Sequence, residues 1–299
     1  MSEYHVPVLL KESVDFLDIH PSGTYVDLTF GGGGHSREIL RRLDREGRLF
    51  GFDQDLDVLP NIPDDRRFSF IRNNFRFVRG CLRAAGVAPE GGVDGILADL
   101  GVSSHHFDTG ERGFSFRFDA NLDMRMNREA QLTAREVVNT CEPDRLRRIF
   151  REYGELDNAG QIVKAIDSFR RNRPIDTIGE LKEAVQHCVP CNDENKFFAK
   201  LFQALRIEVN REMEALKMML EQALVVLRPG GRLAVITYHS LEDRLVKNFM
   251  RNGNFSGIAE KDFYGNISSP FELILKKARI PADEELTKNP RSRSAQLRV

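Results

Sequence analysis

The first hundred residues alternate between short apolar runs and stretches with apolar residues at helical spacing. The runs are rich in β-branched and aromatic residues and are bounded by turn residues, as is typical of buried strands. They cover residues 24–30, 48–52, 68–71 and 93–100. Strands that alternate with helices in this way favour a parallel sheet with helices packed on its faces.

The strand pattern returns only in the last third of the chain. A helix is predicted over residues 210–227, and a Pro-Gly-Gly turn then leads into a buried strand at residues 231–238. A last strand is predicted at residues 271–278. The tail after Pro281 is polar, and we expect it to be only partly ordered.

About 100 residues between these two parts show no strand pattern. Apolar residues recur there at helical spacing in two predicted helices, with Leu146, Ile149 and Phe150 in the first and Ile162, Ile166 and Phe169 in the second. We therefore predict an α/β fold formed by residues 1–104 and 206–299, with a helical insertion domain at residues 105–205.

The composition is that of a globular protein with a sizeable core. Hydrophobic residues make up 41% of the 299 residues and charged residues 30%. No stretch approaches the roughly 18 consecutive apolar residues that a membrane span needs, and the first residues lack both parts of a secretion signal. We therefore expect a soluble cytosolic protein without a membrane partner.

The four cysteines are too few and too unevenly spaced for a disulfide framework. Cys188-Val-Pro-Cys191 has the spacing of a redox or zinc site. A thioredoxin-like site should follow a strand near the start of a βαβ unit, however, and a zinc site needs a second ligand pair. The sequence offers neither context, so we expect no metal site and assign these two cysteines no role.

The formal net charge of −1 hides an uneven distribution of charge. Residues 1–104 carry 12 Lys and Arg against 16 Asp and Glu, whereas residues 206–299 carry 16 against 12. Residues 286–299 hold four basic residues and no acid, and arginines cluster at residues 145–151 and 170–173. Such patches can contact nucleic-acid phosphates, although a solvated helix face explains any single cluster equally well.

A glycine-rich turn follows the first predicted strand. The strand runs directly into Gly31-Gly-Gly-Gly34-His35-Ser36, and a helix is predicted from about Arg37. Glycines let the backbone turn sharply and approach a ligand at the carboxyl end of the strand, where α/β sheets bind nucleotides. The NAD fingerprint G-x-G-x-x-G fails because Ser36 stands where the third glycine belongs, so a pyrophosphate cofactor is disfavoured.

Two acids lie at the ends of the second and fourth predicted strands. Asp53 is placed where a carboxylate can accept two hydrogen bonds from a ribose diol, although Asp is also common in strand-end turns. Asp99 can reach the reactive end of a nucleoside cofactor or the incoming substrate. Phe75 either lies against an adenine or is an ordinary core residue. With the glycine turn, these residues favour S-adenosylmethionine as the cofactor.

Eight segments, in order along nearly the whole chain, resemble the signatures of one protein family. They are His5-Val-Pro-Val-Leu-Leu, the glycine turn with His35-Ser36, Asp99-Leu-Gly-Val-Ser-Ser104, Arg112-Gly-Phe-Ser-Phe116, Leu122-Asp-Met-Arg-Met126, Phe202-Gln-Ala-Leu-Arg-Ile207, His239-Ser-Leu-Glu-Asp-Arg244 and Asn289-Pro-Arg-Ser-Arg-Ser294. The chain resembles the RsmH/MraW family of bacterial small-subunit rRNA cytidine N4-methyltransferases.

The resemblance implies a Rossmann-like class I SAM-dependent methyltransferase sheet, formed by residues 1–104 and 206–299, and an insertion at residues 105–205 that recognises the substrate. The implied activity is methylation of N4 of a cytidine in the decoding region (P site) of 16S rRNA, so the expected partners are 16S rRNA and the small ribosomal subunit. By position, the implied cofactor contacts are Gly33, Gly34, His35, Asp53, Phe75, Asp99 and His106. His106 stands where the family usually has Gln, and His can donate a hydrogen bond as Gln does.

Cytosine N4 is a poor nucleophile because its lone pair is delocalised into the ring, so positioning and a hydrogen-bond acceptor matter most. We predict that Asp99 or Asp123 accepts an N4 hydrogen. The residues predicted to hold the unpaired cytidine are Arg112, Phe114, Phe116 and Arg125, with His239 as a further substrate contact. Phe114 and Phe116 could equally pack the insertion, and we assign Ser240 to capping a helix.

Two other classes of protein fit the residues less well. A ribosome-assembly factor with a non-catalytic methyltransferase fold would bind adenosylmethionine weakly or not at all, and a Rossmann oxidoreductase would need tight NAD binding. Neither accounts for the eight family segments. The sequence leaves open whether the chain is a monomer or a homodimer, and whether the substrate is naked rRNA or an assembled subunit.

Overall fold

In a computed structural model, the chain forms two compact units. The structure describes residues 7–88, 90–103, 107, 109–191, 193–259 and 269–299. The first unit, called the sheet unit below, comprises Met1–Gly101 and Met213–Val299, and the second, called the helical unit, comprises Val102–Glu212. The predicted insertion, residues 105–205, lies inside the helical unit.

In the part of the chain that the structure describes, the sheet unit is built on one six-stranded sheet. Its strands are β1 (Thr24–Asp27), β2 (Arg48–Asp53), β3 (Phe68–Arg72), β4 (Val93–Asp99), β5 (Leu227–Thr237) and β6 (Gln296–Arg298). In space they follow the order β3-β2-β1-β4-β5-β6. The first five strands are parallel and β6 is antiparallel to β5, which confirms the parallel sheet that the sequence predicts.

Helices cover the sheet and build the helical unit. They are α1 (Leu10–Phe16), α2 (Gly34–Arg42), α3 (Val78–Ala84), α4 (Ala134–Thr140), α5 (Pro143–Glu152), α6 (Ala159–Arg170), α7 (Ile178–Val185), α8 (Glu194–Asn210), α9 (Glu212–Val226), α10 (Ser240–Asn252) and α11 (Asp283–Lys288). Within the described ranges, none of them combines the length and apolar character that crossing a membrane requires.

Apolar side chains cover both faces of the sheet, because successive residues of a strand point to opposite faces. On one face Val26 and Phe50 pack with residues of α3, α9 and α10, namely Val78, Leu82, Leu216, Leu220, Val246 and Phe249. On the other face Tyr25 and Leu49 pack with residues of α1, α2 and β6, namely Val14, Ile39 and Leu297. Strands buried on both faces are continuous apolar runs, which is why the sequence pattern located them.

The last part of the sheet differs from the prediction. Residues 271–278 form no strand, and only Arg279 makes an isolated bridge, to Leu297. The last strand is instead β6, in the tail that was expected to be only partly ordered. Ala295 and Leu297 are 0% exposed there and Val299 is 6% exposed. Polar residues alternate with these three, so the segment has the period of a half-buried edge strand and no apolar run marks it.

Three predicted boundaries also shift. The helix expected from residue 210 begins at Glu212, because Arg211 adopts a left-handed backbone (φ 49°) that separates α8 from α9. The helix after the glycine turn begins at Gly34, before the predicted start at Arg37. The fifth strand begins at Leu227 and includes the Pro-Gly-Gly turn, where its register with β4 is irregular.

The helical unit has an apolar core of its own. The residues of α5 and α6 that the spacing selected lie in or against this core, namely Leu146, Ile149, Phe150, Ile162, Ile166 and Phe169. This confirms the two predicted helices. The first turns of α4 and α7 are each fixed by a capping box, formed by Thr133 with Glu136 and by Thr177 with Glu180.

The packing of the Phe30 and Phe68 rings beside the glycine turn can be tested by a substitution at Gly51 in β2. A Cβ at Gly51 would lie 2.5 Å from the Phe68 ring and 3.2 Å from the Phe30 ring, and the two rings pack with centroids 5.2 Å apart. We expect Gly51→Ala to lower the free energy of unfolding by about 1 to 3 kcal/mol, as overpacking of a core does. Chemical denaturation measures this change.

The matched control is Gly160→Ala in α6, where a Cβ meets nothing within 4 Å in the part of the chain that the structure describes. Replacing a glycine inside a helix by alanine adds up to about 1 kcal/mol of stability. The packing argument fails if the Gly51 variant proves as stable as the Gly160 variant.

Candidate active site

The carboxyl ends of the parallel strands lie at one edge of the sheet, where α/β proteins bind their ligands. β1 and β4 are neighbours in the sheet, yet β1 leads to β2 on one side and β4 leads to β5 on the other. A crevice opens at such a point because the two connections leave in opposite directions. Three of the strands end there in a carboxylate, which belongs to Asp27 in β1, Asp53 in β2 and Asp99 in β4.

The glycine turn predicted from the sequence joins β1 to α2. Gly31 (φ 49°) and Gly33 (φ 74°) adopt a left-handed backbone that other residues rarely tolerate. Gly33 caps α2, and its N–H donates to the Phe30 carbonyl at 2.7 Å. A side chain on Gly34 would overlap the Pro7 ring. The fourth glycine therefore lets the N-terminal segment pack on the start of the helix.

The Asp53 carboxylate holds the glycine turn from the end of β2. One oxygen accepts the N–H of Gly31 at 2.9 Å, and the other accepts the N–H of Asp55 at 2.9 Å. The side chain is half-buried, and a carboxylate has about four lone-pair sites. Asp53 thus forms the strand-end turn that was the structural alternative, in a position that also suits a ribose contact. That contact stays a prediction.

His35 and Asp99 face each other between α2 and β4. His35 is 6% exposed, its Nε2–H donates to the Val8 carbonyl at 3.1 Å, and its Nδ1 lies 3.9 Å from Asp99 Oδ2. Burial lowers the pKa of His35, and the opposing effects of Asp99 and the Val8 carbonyl do not restore it. His35 is therefore neutral at pH 7, and it ties the N-terminal segment to the start of α2.

The Asp99 carboxylate is fixed on its other side by a tyrosine. The Tyr238 hydroxyl donates to Asp99 Oδ1 at 2.8 Å, and the backbone N–H of Asp99 donates to Thr29 Oγ1 at 2.7 Å. The Asp99 side chain is 20% exposed. Burial raises its pKa to about 6, although His35 and the Tyr238 hydroxyl act to lower it. Asp99 is thus a carboxylate in the crevice whose charge changes near neutral pH.

Tyr238 is itself held by the start of α10. Its N–H donates to Glu242 Oε2 at 3.0 Å, and a Cβ on Gly101 would meet its ring at 3.0 Å. His239 caps α10, because its Nδ1 accepts the N–H of Glu242 at 3.4 Å. The capping role expected of Ser240 was wrong, since Ser240 is the first residue of the helix. A substrate contact of His239 stays a prediction.

Asp27 is buried at the end of β1, and the sequence prediction missed it. It is 1% exposed, its Oδ2 accepts the Ser36 hydroxyl at 2.6 Å, and its Oδ1 accepts the Thr29 N–H at 3.1 Å. Burial raises the pKa of Asp27 to about 6 against the effect of these hydrogen bonds. A signal was available, because an acid between Val26 and Leu28 in an apolar strand has to point into the protein.

Phe75 begins a short 3-10 helix, Phe75–Phe77, directly after β3. Asn74 caps this turn, since its Oδ1 accepts the N–H of Arg76 at 3.0 Å. The Phe75 ring is half-buried against the core of the sheet unit, an environment compatible with both a core role and an adenine contact. The adenine contact stays a prediction. His106, the remaining predicted cofactor contact, lies outside the described residues.

The helical unit brings three of the predicted residues together in one cluster. Asp123 forms a two-pronged ion pair with Arg125, with Oδ1–Nε and Oδ2–Nη2 distances of 2.8 and 2.6 Å. Arg112 is 4% exposed and donates from Nη2 to the carbonyls of Arg125 and Met126. Burial acts to raise the pKa of Asp123, but the hydrogen bonds and charge of Arg125 leave that pKa lowered. Asp123 is therefore an ionised carboxylate bound to a guanidinium group.

Phe114 and Phe116 belong to the apolar core of the helical unit. Phe114 is 4% exposed. Phe116 is half-buried, and its ring packs on Phe198 and Phe202 with centroids 6.0 and 5.6 Å apart. These contacts agree with the alternative in which Phe114 and Phe116 pack the core of the insertion. A stacking role of the two rings against a base stays a prediction.

The Cys188-x-x-Cys191 pair does not have the surroundings of a redox site. Both thiols are free, with Cys188 buried and Cys191 exposed. Burial raises the pKa of the Cys188 thiol, whereas a reactive cysteine needs a lowered pKa. Cys188 ends a 3-10 helix, Gln186–Cys188, that follows α7 and no strand.

The sheet order, the glycine turn after β1 and the carboxylates at three strand ends define a Rossmann-like methyltransferase fold. The profile of the MraW methylase family matches residues 2–299. The chain belongs to the MraW methylase family, and it is therefore a methyltransferase. This confirms the resemblance seen in the sequence.

Relatives of similar length align with nearly the whole chain. A protein of Parabacteroides distasonis, ribosomal RNA small subunit methyltransferase H, is 57% identical over 296 residues, which cover 99% of this chain and 96% of the relative. The protein of the same name from Bacteroides fragilis is 59% identical over the same shares of both chains. The one from Flavobacterium johnsoniae is 57% identical over 99% of this chain and 97% of its own length.

The buried acid Asp27 gives the protein an unusual pH dependence. An acid whose pKa is higher in the folded than in the unfolded state costs stability as the pH rises from about 4 to about 6. The full cost, reached above the folded pKa, is about 2 to 3 kcal/mol. We expect the stability of Asp27→Asn to rise relative to the wild type over this pH range, as measured by denaturation at several pH values.

Asp65→Asn is the control with the opposite shift. The hydrogen bonds of Arg67 lower the pKa of Asp65 to about 2, so its contribution to stability is fully present above about pH 4 and is lost only below it. The difference between this variant and the wild type should therefore stay constant where that of the Asp27 variant changes. A constant difference for both variants would rule out the burial argument.

Proposed function

We propose that this chain transfers a methyl group from S-adenosylmethionine to N4 of a cytidine in the decoding region (P site) of 16S rRNA. The observation that carries the proposal is the match to a methylase family over residues 2–299, together with relatives named ribosomal RNA small subunit methyltransferase H. The carboxylate-lined crevice of the sheet unit supplies the chemistry that such a transfer needs.

The residues of the crevice fit adenosylmethionine. The glycine turn leaves space for a ligand to approach the backbone, since a Cβ on Gly31 would meet only the Thr29 carbonyl, at 3.8 Å. Asp53 offers its carboxylate to the ribose diol. The other residues proposed to hold the cofactor are Gly33, Gly34, His35, Phe75, Asp99 and His106. When bound, adenosylmethionine supplies a methyl group on a positively charged sulfur.

Asp99 is the residue that we assign to the N4 amino group. A carboxylate that accepts one N4 hydrogen fixes the amino group in the crevice and raises the electron density on the nitrogen. The Tyr238 hydroxyl donates to Oδ1, so the carboxylate is already oriented when the substrate arrives. We also assign Asp99 to take the proton that the nitrogen loses on methylation, and the reaction needs no strong base beforehand.

Asp123 is the second candidate for this role, and the geometry favours it less. Both of its oxygens bind Arg125, whose guanidinium group would have to share them with the amino group. We assign Arg112 and Arg125 to holding the target nucleotide, with Asp123 orienting the Arg125 guanidinium group. Phe114, Phe116 and His239 complete the proposed substrate contacts, and 16S rRNA, free or in the small subunit, is the proposed partner.

Loss of the Asp53 charge should weaken cofactor binding. Hydrogen bonds to a charged group contribute about 1.5 to 3 kcal/mol, so we expect Asp53→Asn to reduce the affinity for adenosylmethionine about 10- to 100-fold. Titration calorimetry measures this affinity. Asp57→Asn, the same change of charge in the following 3-10 helix (Leu56–Asn61), is the matched control and should bind as the wild type does. Equal affinities of the two variants would contradict the ribose assignment.

The Asp99 carboxylate should control turnover. We expect Asp99→Asn to slow methyl transfer about 100- to 1,000-fold, because an amide accepts the N4 hydrogen less well than a carboxylate. In the wild type the rate should rise with pH through about 6, as Asp99 ionises. Single-turnover assays at saturating cofactor measure both effects. Near-normal turnover of both Asp99→Asn and Asp123→Asn would discard this mechanism.

The pH dependence of the methyl-transfer rate also tests the effect of the Tyr238 hydroxyl on Asp99. The Tyr238 hydroxyl lowers the pKa of Asp99, so Tyr238→Phe should move the acid limb of the rate profile to higher pH. Tyr25→Phe is the matched control, because its hydroxyl accepts the N–H of His20 near the start of β1 and removing it affects stability alone. An unchanged pH dependence of the rate in Tyr238→Phe would show that the Tyr238 hydroxyl does not affect the ionisation that controls the reaction.

The cellular test compares 16S rRNA from cells with and without the gene. The proposal requires that one cytidine of the decoding region lose its N4 methyl group when the gene is absent. No loss, together with no heat on mixing the protein with adenosylmethionine, would instead favour a non-catalytic assembly factor.

A further inference from the structure

A basic surface on α3 lies outside the residues assigned to the crevice. Residues 72–88 contain four arginines and no acid. We give the name α3 surface to six residues of this segment, namely the exposed Arg72, Phe77, Arg79, Gly80 and Arg83 and the half-buried Arg76. The formal net charge of the whole chain is −1, so it does not reveal this local positive charge.

The helical spacing places two of the arginines on one face of α3. Val78 and Leu82, four residues apart, are buried in the core of the sheet unit. Arg79 and Arg83, also four residues apart, lie on the opposite side of α3, and Arg76 precedes this helix in the 3-10 turn Phe75–Phe77. Arg79 and Arg83 are exposed. The helix therefore presents a row of guanidinium groups to solvent.

Phe77 adds an exposed aromatic ring to this row. Its exposed fraction is 49%, which is high for a phenylalanine, and the Arg76 guanidinium lies 6.0 Å from the ring centroid. Phe75, two residues earlier, is half-buried against the core. The 3-10 turn thus directs one ring inward and the next one outward, where it offers a stacking surface next to positive charge.

Two of the arginines line a shallow cavity of about 410 Å³, together with Gly80 and Gln222. Gln222 of α9 fixes the backbone below the cavity, since its Oε1 accepts the N–H of Arg79 and its Nε2 donates to the Arg76 carbonyl. A Cβ on Gly80 would meet no described residue within 4 Å. The cavity therefore has a fixed floor, open space above it and guanidinium groups at its rim.

The acid that pairs with Arg79 is held weakly. Glu90 lies 3.3 Å from Arg79, and the two side chains are 75% and 46% exposed. Exposed pairs of this kind contribute little to stability and are screened by salt. A phosphate group can therefore replace Glu90 at little cost.

We propose that the α3 surface binds the backbone of an RNA strand, with the arginines on successive phosphates and Phe77 stacked on an unpaired base. The proposal rests on the proposed function, because it takes the RNA substrate as the occupant. Guanidinium groups complement phosphates and an exposed ring complements a base, and proteins that bind single strands combine these two features. An acidic protein partner would use the charge but not the ring.

Gly80 allows a sharp test, because it is exposed and a Cβ there has open space among the described residues. Gly80→Glu places a carboxylate between Arg79 and Arg83, and Gly80→Gln adds the same shape without charge. We expect the Gln variant to bind a transcribed decoding-region fragment of 16S rRNA as the wild type does, and the Glu variant to bind it at least about fivefold more weakly. Equal binding by the two variants would overturn the proposal.

Two further variants separate stacking from charge. Arg79→Gln with Arg83→Gln should weaken RNA binding and lower the slope of log affinity against log salt by about 0.7 for each phosphate that the variant no longer binds. Phe77→Ala should weaken binding at least about fivefold and leave this slope unchanged. If the arginine variants bind RNA more weakly and Phe77→Ala binds it as the wild type does, the surface suits an acidic protein better than RNA. That result would overturn the proposal.

Measurements of cofactor binding and methyl transfer distinguish a failure of the α3 surface from a failure of the proposed function. Each variant should bind adenosylmethionine as the wild type does and should methylate small subunits from cells lacking the gene with a raised KM and an unchanged kcat. Should the wild type fail to methylate those subunits, the proposed function is wrong. Should the wild type methylate them and the Gly80→Glu variant match it in KM, only the α3 surface is wrong.

Discussion

The hydrogen bond from the Ser36 hydroxyl to the buried Asp27 carboxylate joins the end of β1 to the first turn of α2, and the crevice depends on it. The turn between these elements is made of glycines, which contribute no side-chain packing. Two strand-end carboxylates fix its course instead, since Asp27 binds Ser36 and Asp53 binds the Gly31 N–H. Burying Asp27 costs free energy, and the raised pKa measures that cost. The protein thus places ionisable groups where they destabilise the fold and define the site, a combination common in active sites.

Much of the sheet could be predicted because its strands are buried on both faces. β1, β2 and β4 are largely buried, and the prediction located each of them within a few residues. It also located β3, a half-buried edge strand. The same reasoning failed for β6, because only alternate residues such as Ala295 and Leu297 are buried there. It also failed for residues 271–278, where an apolar pattern forms no strand. β6 depends on a partner, β5, that ends 59 positions earlier in the sequence, and a local pattern does not contain that partner.

Part of the candidate site could be predicted from local sequence patterns. The rest was missed because it depends on contacts between distant elements. Glycines at a strand end, followed by acids after the next strands, pointed to the crevice with Asp53 and Asp99. Asp27 and Tyr238 were missed in their present roles, because their partners come from other elements. The Tyr238 hydroxyl reaches Asp99 across 139 positions of the sequence, and no spacing rule connects the two. The capping role of His239 was missed for a different reason, since serine is the more usual capping residue.

The antiparallel strand β6 also bears on how the chain is synthesised. β6 covers the outer edge of β5, and the Thr237 hydroxyl bonds to the Gln296 carbonyl, 59 positions later in the chain. At a translation rate of about 5 to 20 residues per second, the edge of β5 stays uncovered for roughly 3 to 12 seconds in the nascent chain. An uncovered strand edge can pair with other chains. The edge of the parallel sheet is therefore open to such pairing until the final residues of β6 have been made.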